Sequence, residues 1–105
     1  MKGRTFYIME PKPPWDRFFV SIDCSKWLDQ DTIINAEFQA FDQNGNDVTS
    51  DIIDSVKSVH LDQGLKPYIK GGISGNVYTV VNKATTDAGD QLSCSVVFEC
   101  QDYLT

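Results

Sequence analysis

Histidine occurs once in these 105 residues, and nine basic residues stand against fifteen acidic ones. Each shortage removes a class of function. The single histidine, His60, has no nucleophile or acid close to it in sequence, so a triad would depend wholly on the fold. It reads as a surface or strand-end residue. A net charge of −6, with the cations spread along the chain, argues against nucleic acid, because phosphate affinity needs clustered Lys and Arg. Long apolar runs are missing too. The run near the amino terminus, Phe6 to Met9, is shorter than the roughly 7–15 residues of a secretory segment. Nothing approaches the ~20 residues of a membrane-spanning helix. The expectation is a protein made in the cytosol that stays there unless it leaves inside an assembly, with no membrane partner.

Cysteine is sparse and odd in number: Cys24, Cys94 and Cys100. Cys94 and Cys100 fall in one predicted strand, roughly 20 Å apart at ~3.3 Å per residue. A disulfide needs Cα atoms about 4.4–6.8 Å apart, so these two do not pair within that strand. Cys24 with either of them stays geometrically open beside the reading of three free thiols. Zinc needs Cys and His at matching spacing, which is absent.

No Gly-x-Ser-x-Gly elbow, Walker loop or dinucleotide fingerprint is present. Gly71-Gly72-Ile73-Ser74-Gly75 lacks the lysine and following helix of a phosphate cradle. Asp42-x-Asn44-x-Asn46 supplies the first three positions of a calcium loop. Its sixth position is Asp47 rather than glycine and its twelfth is Ile53 rather than glutamate, so the EF-hand pattern fails. A weaker calcium site on Asp42, Asn44 and Asp47 stays open beside a type I′ turn at Asn44-Gly45. No catalytic residue, cofactor-binding residue, metal ligand or cofactor is expected, and the chain is read as not an enzyme.

What is present is alternation. Thr5 to Met9 reads as a short first strand, set off by the stiff Pro11, Pro13 and Pro14. Phe18, Val20 and Ile22 alternate with Phe19, Ser21 and Asp23. A turn with one helical turn follows at residues 23–32, where Trp27 and Leu28 plug the core. Ile34, Ala36, Phe38 and Ala40 are expected to share one face of the next strand. Residues 51–61 are ambiguous, with a strand after a loop preferred over a helix. Leu65 to Lys70 reads as a strand whose Pro67 suits an edge or a bulge. Tyr78, Val80, Asn82 and Ala84 alternate with Thr79, Val81 and Lys83, and Leu92, Cys94, Val96, Phe98 and Cys100 with Ser93, Ser95, Val97 and Glu99, to make the last two strands.

Tyr78-x-Val80 follows the Ser74-Gly75-Asn76 turn and resembles the entry to strand F of an immunoglobulin-like sandwich, where a tyrosine hydroxyl closes the corner. The predicted fold is all-β, an Ig-like antiparallel sandwich of about seven strands. The domain reading is a strand and Pro-rich arm over 1–16 and the sandwich over 17–105, one domain overall. Among the aromatics Trp15, Trp27, Tyr68 and Tyr103, Trp15 is the candidate surface anchor.

Asp23-x-Ser25-x-Trp27-Leu28-x-x-Asp31-Thr32-Ile33, with Gly71-Gly72-Ile73-Ser74-Gly75-x-x-Tyr78-Thr79-Val80 and Thr85-Thr86-x-Ala88-Gly89, resembles small virion proteins of tailed phages and prophages. Their family is that of fibre-tail adaptor or Ig-like virion proteins, and the likeness covers residues 17 to 101. Cys24 stands where the pattern usually has tryptophan, as does Phe38. The segment between Phe38 and Gly71 is longer than usual. The resemblance implies a non-catalytic structural or assembly protein of the virion. It would contact other tail or fibre proteins, with homo-oligomer formation possible. A sheet edge near Pro67 or the Pro11 to Asp16 arm would be the binding element. The Phe41 to Thr49 run also resembles a turn of bacterial Ig-like adhesin repeats. A carbohydrate- or cell-surface-binding Ig-like module is the alternative.

Overall fold

A computed structural model of the chain describes residues 4–102. Tyr103 lies outside the described residues. The strands β1 (Thr5–Tyr7), β2 (Phe18–Phe19) and β3 (Ile22–Asp23) are followed by a single helical turn, α1 (Ser25–Leu28). Strand β4 (Ile33–Phe41) leads to a second helical turn, α2 (Thr49–Ile52). Then come β5 (Val59–Leu61), β6 (Gly64–Lys66), β7 (Tyr68–Ile69), β8 (Val77–Thr86) and β9 (Gln91–Glu99). The all-β expectation holds.

One layer is a four-stranded sheet in the order β1-β9-β8-β4; the other is made of the β2-β7 pair and the β3-β6-β5 sheet. One apolar cluster fills the space between them. Tyr78, Val80, Ala84, Cys94, Val96 and Phe98 come from the larger sheet, and Ile22, Leu65 and Ile69 from the smaller elements. Leu28, Ile52 and Ile53 close the ends. Strands β8 and β9 follow the period-two pattern, with every inner position of β8 and those of β9 from Cys94 onward buried, Leu92 half-buried, and the outer positions more open. Buried Asn82 sits in this register, its amide donating to the carbonyls of Val80 and Cys94 at 3.3 Å each.

Nine strands are described where about seven were expected, because two extended segments each divide between sheets. Pro67 marks one break. Before it, β6 pairs with β3 and β5; after it, β7 pairs with β2. Proline offers no N–H to a ladder, so the ladder is interrupted there, while the β2–β3 segment keeps one register on both sides of it. The Pro67 carbonyl still accepts the Val20 N–H at 3.0 Å. The β2–β3 segment crosses between the same two sheets and keeps the predicted alternation, with Ile22 inward and Phe19 outward.

Four local readings are corrected. First, Ile34 is 60% exposed and Ile33 is buried. A bulge places Ile34 as the extra residue between the Ile33–Thr86 and Asn35–Thr85 pairs, which inverts the face at that end of β4. Second, the Asn44-Gly45 turn is not type I′. Among non-glycine residues in the described chain a positive φ occurs at Asp29 alone, so Asn44 keeps a negative φ while Gly45 has φ +83°. The Gly45 N–H donates to the Asp42 carbonyl and the Asp42 N–H to that of Asn46, a type I turn with a left-handed residue after it. Third, the strand after the loop begins at Val59, and the ambiguous stretch starts inside the helical turn α2. Fourth, the first strand ends at Tyr7, and β1 runs parallel to β9, the one parallel pair among the described strands.

Candidate functional site

The polyproline stretch continues the path of β1 alongside β9. The Lys12 N–H donates to the Glu99 carbonyl at 2.8 Å, and the Gln101 N–H donates to the Lys12 carbonyl at 3.0 Å. The Lys12 side chain turns inward and is 2% exposed. Its ammonium donates to the carbonyls of Gly71 at 2.6 Å and Pro13 at 2.9 Å. Burial lowers the Lys12 pKa, and the neighbouring Cys100 and Asp16 act against that shift. A lysine is rarely this buried without a carboxylate, and two backbone carbonyls take that role here. The base of the arm is thereby fixed to the Gly71 corner.

Trp15 lies just beyond this anchor and is 89% exposed. The Asp16 N–H closes a turn on the Pro13 carbonyl at 3.1 Å. Together with Pro14, Arg17, Phe18 and Gly71 these two residues line an open cleft of about 570 Å³. Trp15 is thus an exposed aromatic, at the surface where the sequence placed it. Trp27 is half-buried against the core, its ring 6.1 Å from that of Phe6 and topped by the Arg4 guanidinium at 5.2 Å.

The Gly71-Gly72 corner supports the arm from below. Both glycines have positive φ, at +59° and +106°. A Cβ on Gly71 would stand 2.5 Å from the Asp51 carbonyl oxygen, and one on Gly72 would stand 2.8 Å from Cys100 Sγ. Two independent requirements, conformation and space, therefore exclude side chains here. The hydroxyl of buried Tyr78 accepts the Ile73 N–H at 2.9 Å and the Asn76 side-chain amide at 3.3 Å. The corner-closing tyrosine anticipated from Tyr-x-Val is present, with its hydroxyl as acceptor.

The remaining candidates have local roles. His60 sits on β5 opposite Leu65, and its Nδ1 lies 3.2 Å from the Leu61 carbonyl oxygen. The Asp42 carboxylate accepts the N–H groups of Asn44 and Asn46 at 2.9 and 3.0 Å, and Asp47 accepts the Thr49 N–H and hydroxyl at 2.9 and 2.6 Å. These bonds hold both carboxyls below the usual range, led by the Asn46 N–H for Asp42 and the Thr49 hydroxyl for Asp47. Among the described residues no three His, Cys, Asp or Glu side chains gather as metal ligands. Cys24, Cys94 and Cys100 are buried free thiols. Burial, with the neighbouring Cys24 adding to it, pushes Cys94 up to about 11. None of the helices is long and apolar enough to cross a membrane, among the described residues.

Sequence reasoning missed a second surface. Phe19 and Tyr68 face each other across β2 and β7 with ring centroids 4.8 Å apart, edge to face. The Lys66 ammonium lies 4.7 Å from the Phe19 ring and that of Lys57 4.7 Å from the Tyr68 ring. Arg17 immediately precedes β2 and Lys70 immediately follows β7. Cations scattered in sequence are brought together by the β2–β7 pairing, a contact across about fifty residues of chain that no local pattern signals.

Fold and surface define a class: a small two-layered β domain that carries an anchored aromatic arm and a ring pair flanked by lysines. Family comparison makes this specific. The chain belongs to the family described as Podophage GP4 fiber-tail adaptor protein gp77, whose model matches residues 12–99. The match begins at the buried lysine and takes in every strand after β1. No curated protein and no solved structure matches the chain. The phage fibre-tail resemblance read from residues 17 to 101 is thereby confirmed.

Proposed function

We propose that the chain is a non-catalytic virion component that joins tail and fibre proteins through protein–protein contact, with the Pro11 to Asp16 arm as a principal binding element. The observation that carries this reading is Trp15, 89% exposed on an arm whose neighbouring lysine is buried. A large rigid aromatic loses little conformational entropy on docking and buries much area, which is why tryptophan is enriched at interface centres. The prolines and the Lys12 anchor order the arm before binding, which reduces the entropic cost of association. The protein is made in the host cytoplasm and incorporated into the particle, and copies associate around the tail axis. The arm and the Ig-like sandwich act as one domain, with the Pro11 to Asp16 segment as the docking element.

Co-expression with the tail and fibre proteins of the same genome tests this. The wild-type chain is expected to co-purify with at least one of them, and Trp15→Ala to weaken that capture by about tenfold or more, as for an interface anchor. Absence of any tail or fibre partner would remove the reading.

A second reading is favoured by one feature: Trp15 and Asp16 share the open cleft, and an aromatic face beside a carboxylate also suits a sugar ring. A glycan-array signal that disappears with Trp15→Ala would support a carbohydrate-binding module instead.

A further inference from the structure

We infer that the outer face and open edge of β2 form a second docking site, and that its occupant is an acidic, extended segment of a partner protein. The inference rests on the adaptor reading for the partner being another virion protein, and goes beyond it in naming a different surface and that partner's chemistry.

Backbone geometry supplies the edge. The Val20 N–H donates to the Pro67 carbonyl, so Val20–Pro67 and Phe18–Ile69 are the hydrogen-bonding pairs of this antiparallel ladder, and Phe19–Tyr68 is the non-bonded pair between them. Tyr68 agrees with this, since its N–H donates to Ser58 Oγ and its carbonyl accepts the Asp54 N–H, both away from β2. The N–H and C=O of Phe19 therefore point to the other side of β2. No partner meets them among the described residues. An extended segment laid there gains one reciprocal pair of backbone hydrogen bonds. Non-bonded pairs also bring side chains closest, which explains the 4.8 Å approach of the two rings.

Charge selects the occupant. Four of the nine basic residues, Arg17, Lys57, Lys66 and Lys70, lie on or beside this ladder in a protein of net charge −6. Neither Lys57 nor Lys66 has a carboxylate within ion-pair distance among the described residues; each rests on a ring instead. An ammonium over a ring keeps donors free, and the aromatic surface below lowers the local dielectric, so an arriving carboxylate gains more than on an ordinary exposed lysine. A polyphosphate strand would meet the acidic remainder of the surface along its length. A short acidic peptide stays within a Debye length, ~8 Å at physiological salt, of the patch. Those terms favour protein over nucleic acid.

The test uses the full chain, uniformly labelled with nitrogen-15, and three probes. These are an acetylated octapeptide of alternating glutamate and valine, its lysine–valine counterpart, and a thymidine octanucleotide. The expected result is saturable shifts of the Phe19 and Tyr68 amides with the acidic peptide alone, weakened by salt. In Lys57→Met/Lys66→Met, which keeps the side-chain stems on the rings, affinity falls by roughly tenfold. No binding of the acidic peptide, equal binding of the lysine peptide, or tighter binding of the oligonucleotide would overturn the inference. So would self-association of the wild-type chain that shifts the same amides without any probe. The same methionine variant, tested for capture of tail and fibre proteins, separates this claim from the adaptor reading. Capture undiminished in the variant sinks the acidic-segment site and leaves the adaptor standing, whereas a wild-type chain that captures nothing sinks the adaptor whatever the peptide does.

Discussion

Gly72→Ala probes the corner that carries both the arm and the tyrosine hydrogen bond. Two costs are separable. Gly72 has φ +106°, a conformation that a Cβ disfavours by about 1–2 kcal/mol. The added methyl would also stand 2.8 Å from Cys100 Sγ, 3.3 Å from Tyr78 Cε2 and 3.4 Å from Cys100 Cβ, and overpacking of this kind costs about 1–3 kcal/mol. The expected loss is about 2–5 kcal/mol in all. Cys100→Ala alone should cost about 1–2 kcal/mol through the cavity it leaves. Combined, the two should be less harmful than their sum, because deleting Sγ removes the tightest contact and leaves the backbone term untouched. Urea unfolding followed by circular dichroism, over a full double-mutant cycle, would read a coupling of about 1–2 kcal/mol. Strict additivity, or a Gly72→Ala variant within ~0.5 kcal/mol of wild type, would refute the packing argument.

Tyr78→Phe removes the acceptor for the Ile73 N–H and should cost about 1 kcal/mol in the same unfolding measurement, while leaving the far-UV spectrum unchanged. The three thiols should resist Ellman's reagent in the folded protein and react fully in denaturant, since all are buried and Cys94 is pushed up to about 11; rapid native labelling of Cys94 would contradict its placement. Asp42 and Asp47 titrate below their usual range in the folded state. Their contribution to stability is complete above the unfolded carboxylate value of about 3.9 and is lost as pH falls through the folded values. Asp42→Asn/Asp47→Asn should therefore flatten the acid limb of the stability–pH curve, and an unchanged limb would contradict the turn-capping role.

Legibility in the sequence followed the range of the interactions. Alternation along β8 and β9 was readable because each inner position depends on a period of two, and Tyr78 because its partner lies five residues away. The exposure of Ile34 was not readable: a single bulge shifts the face, and it arises from pairing with β8 some fifty residues on. Pro67 was placed correctly at an irregularity, but the exposed edge expected near it is not there: Pro67 is buried between β6, a central strand, and β7, which depends on the folded layers. Lys12 gave no local sign of burial, since its two carbonyl partners are the adjacent Pro13 and the distant Gly71. The type of the Asn44-Gly45 turn was missed because Asp42 caps two N–H groups and so stabilises the turn with negative φ at Asn44. Trp15 stood out among its prolines, whereas the lysines around Phe19 and Tyr68 come together only through long-range pairing.

The most direct measurement places a photo-crosslinking amino acid at position 15 of the chain within particles assembled from the genome that encodes it. Mass spectrometry of irradiated particles should find that position joined to a tail or fibre protein. Recovery of particles that lack the chain, or of a chain whose position 15 joins no tail or fibre protein, would contradict the adaptor account.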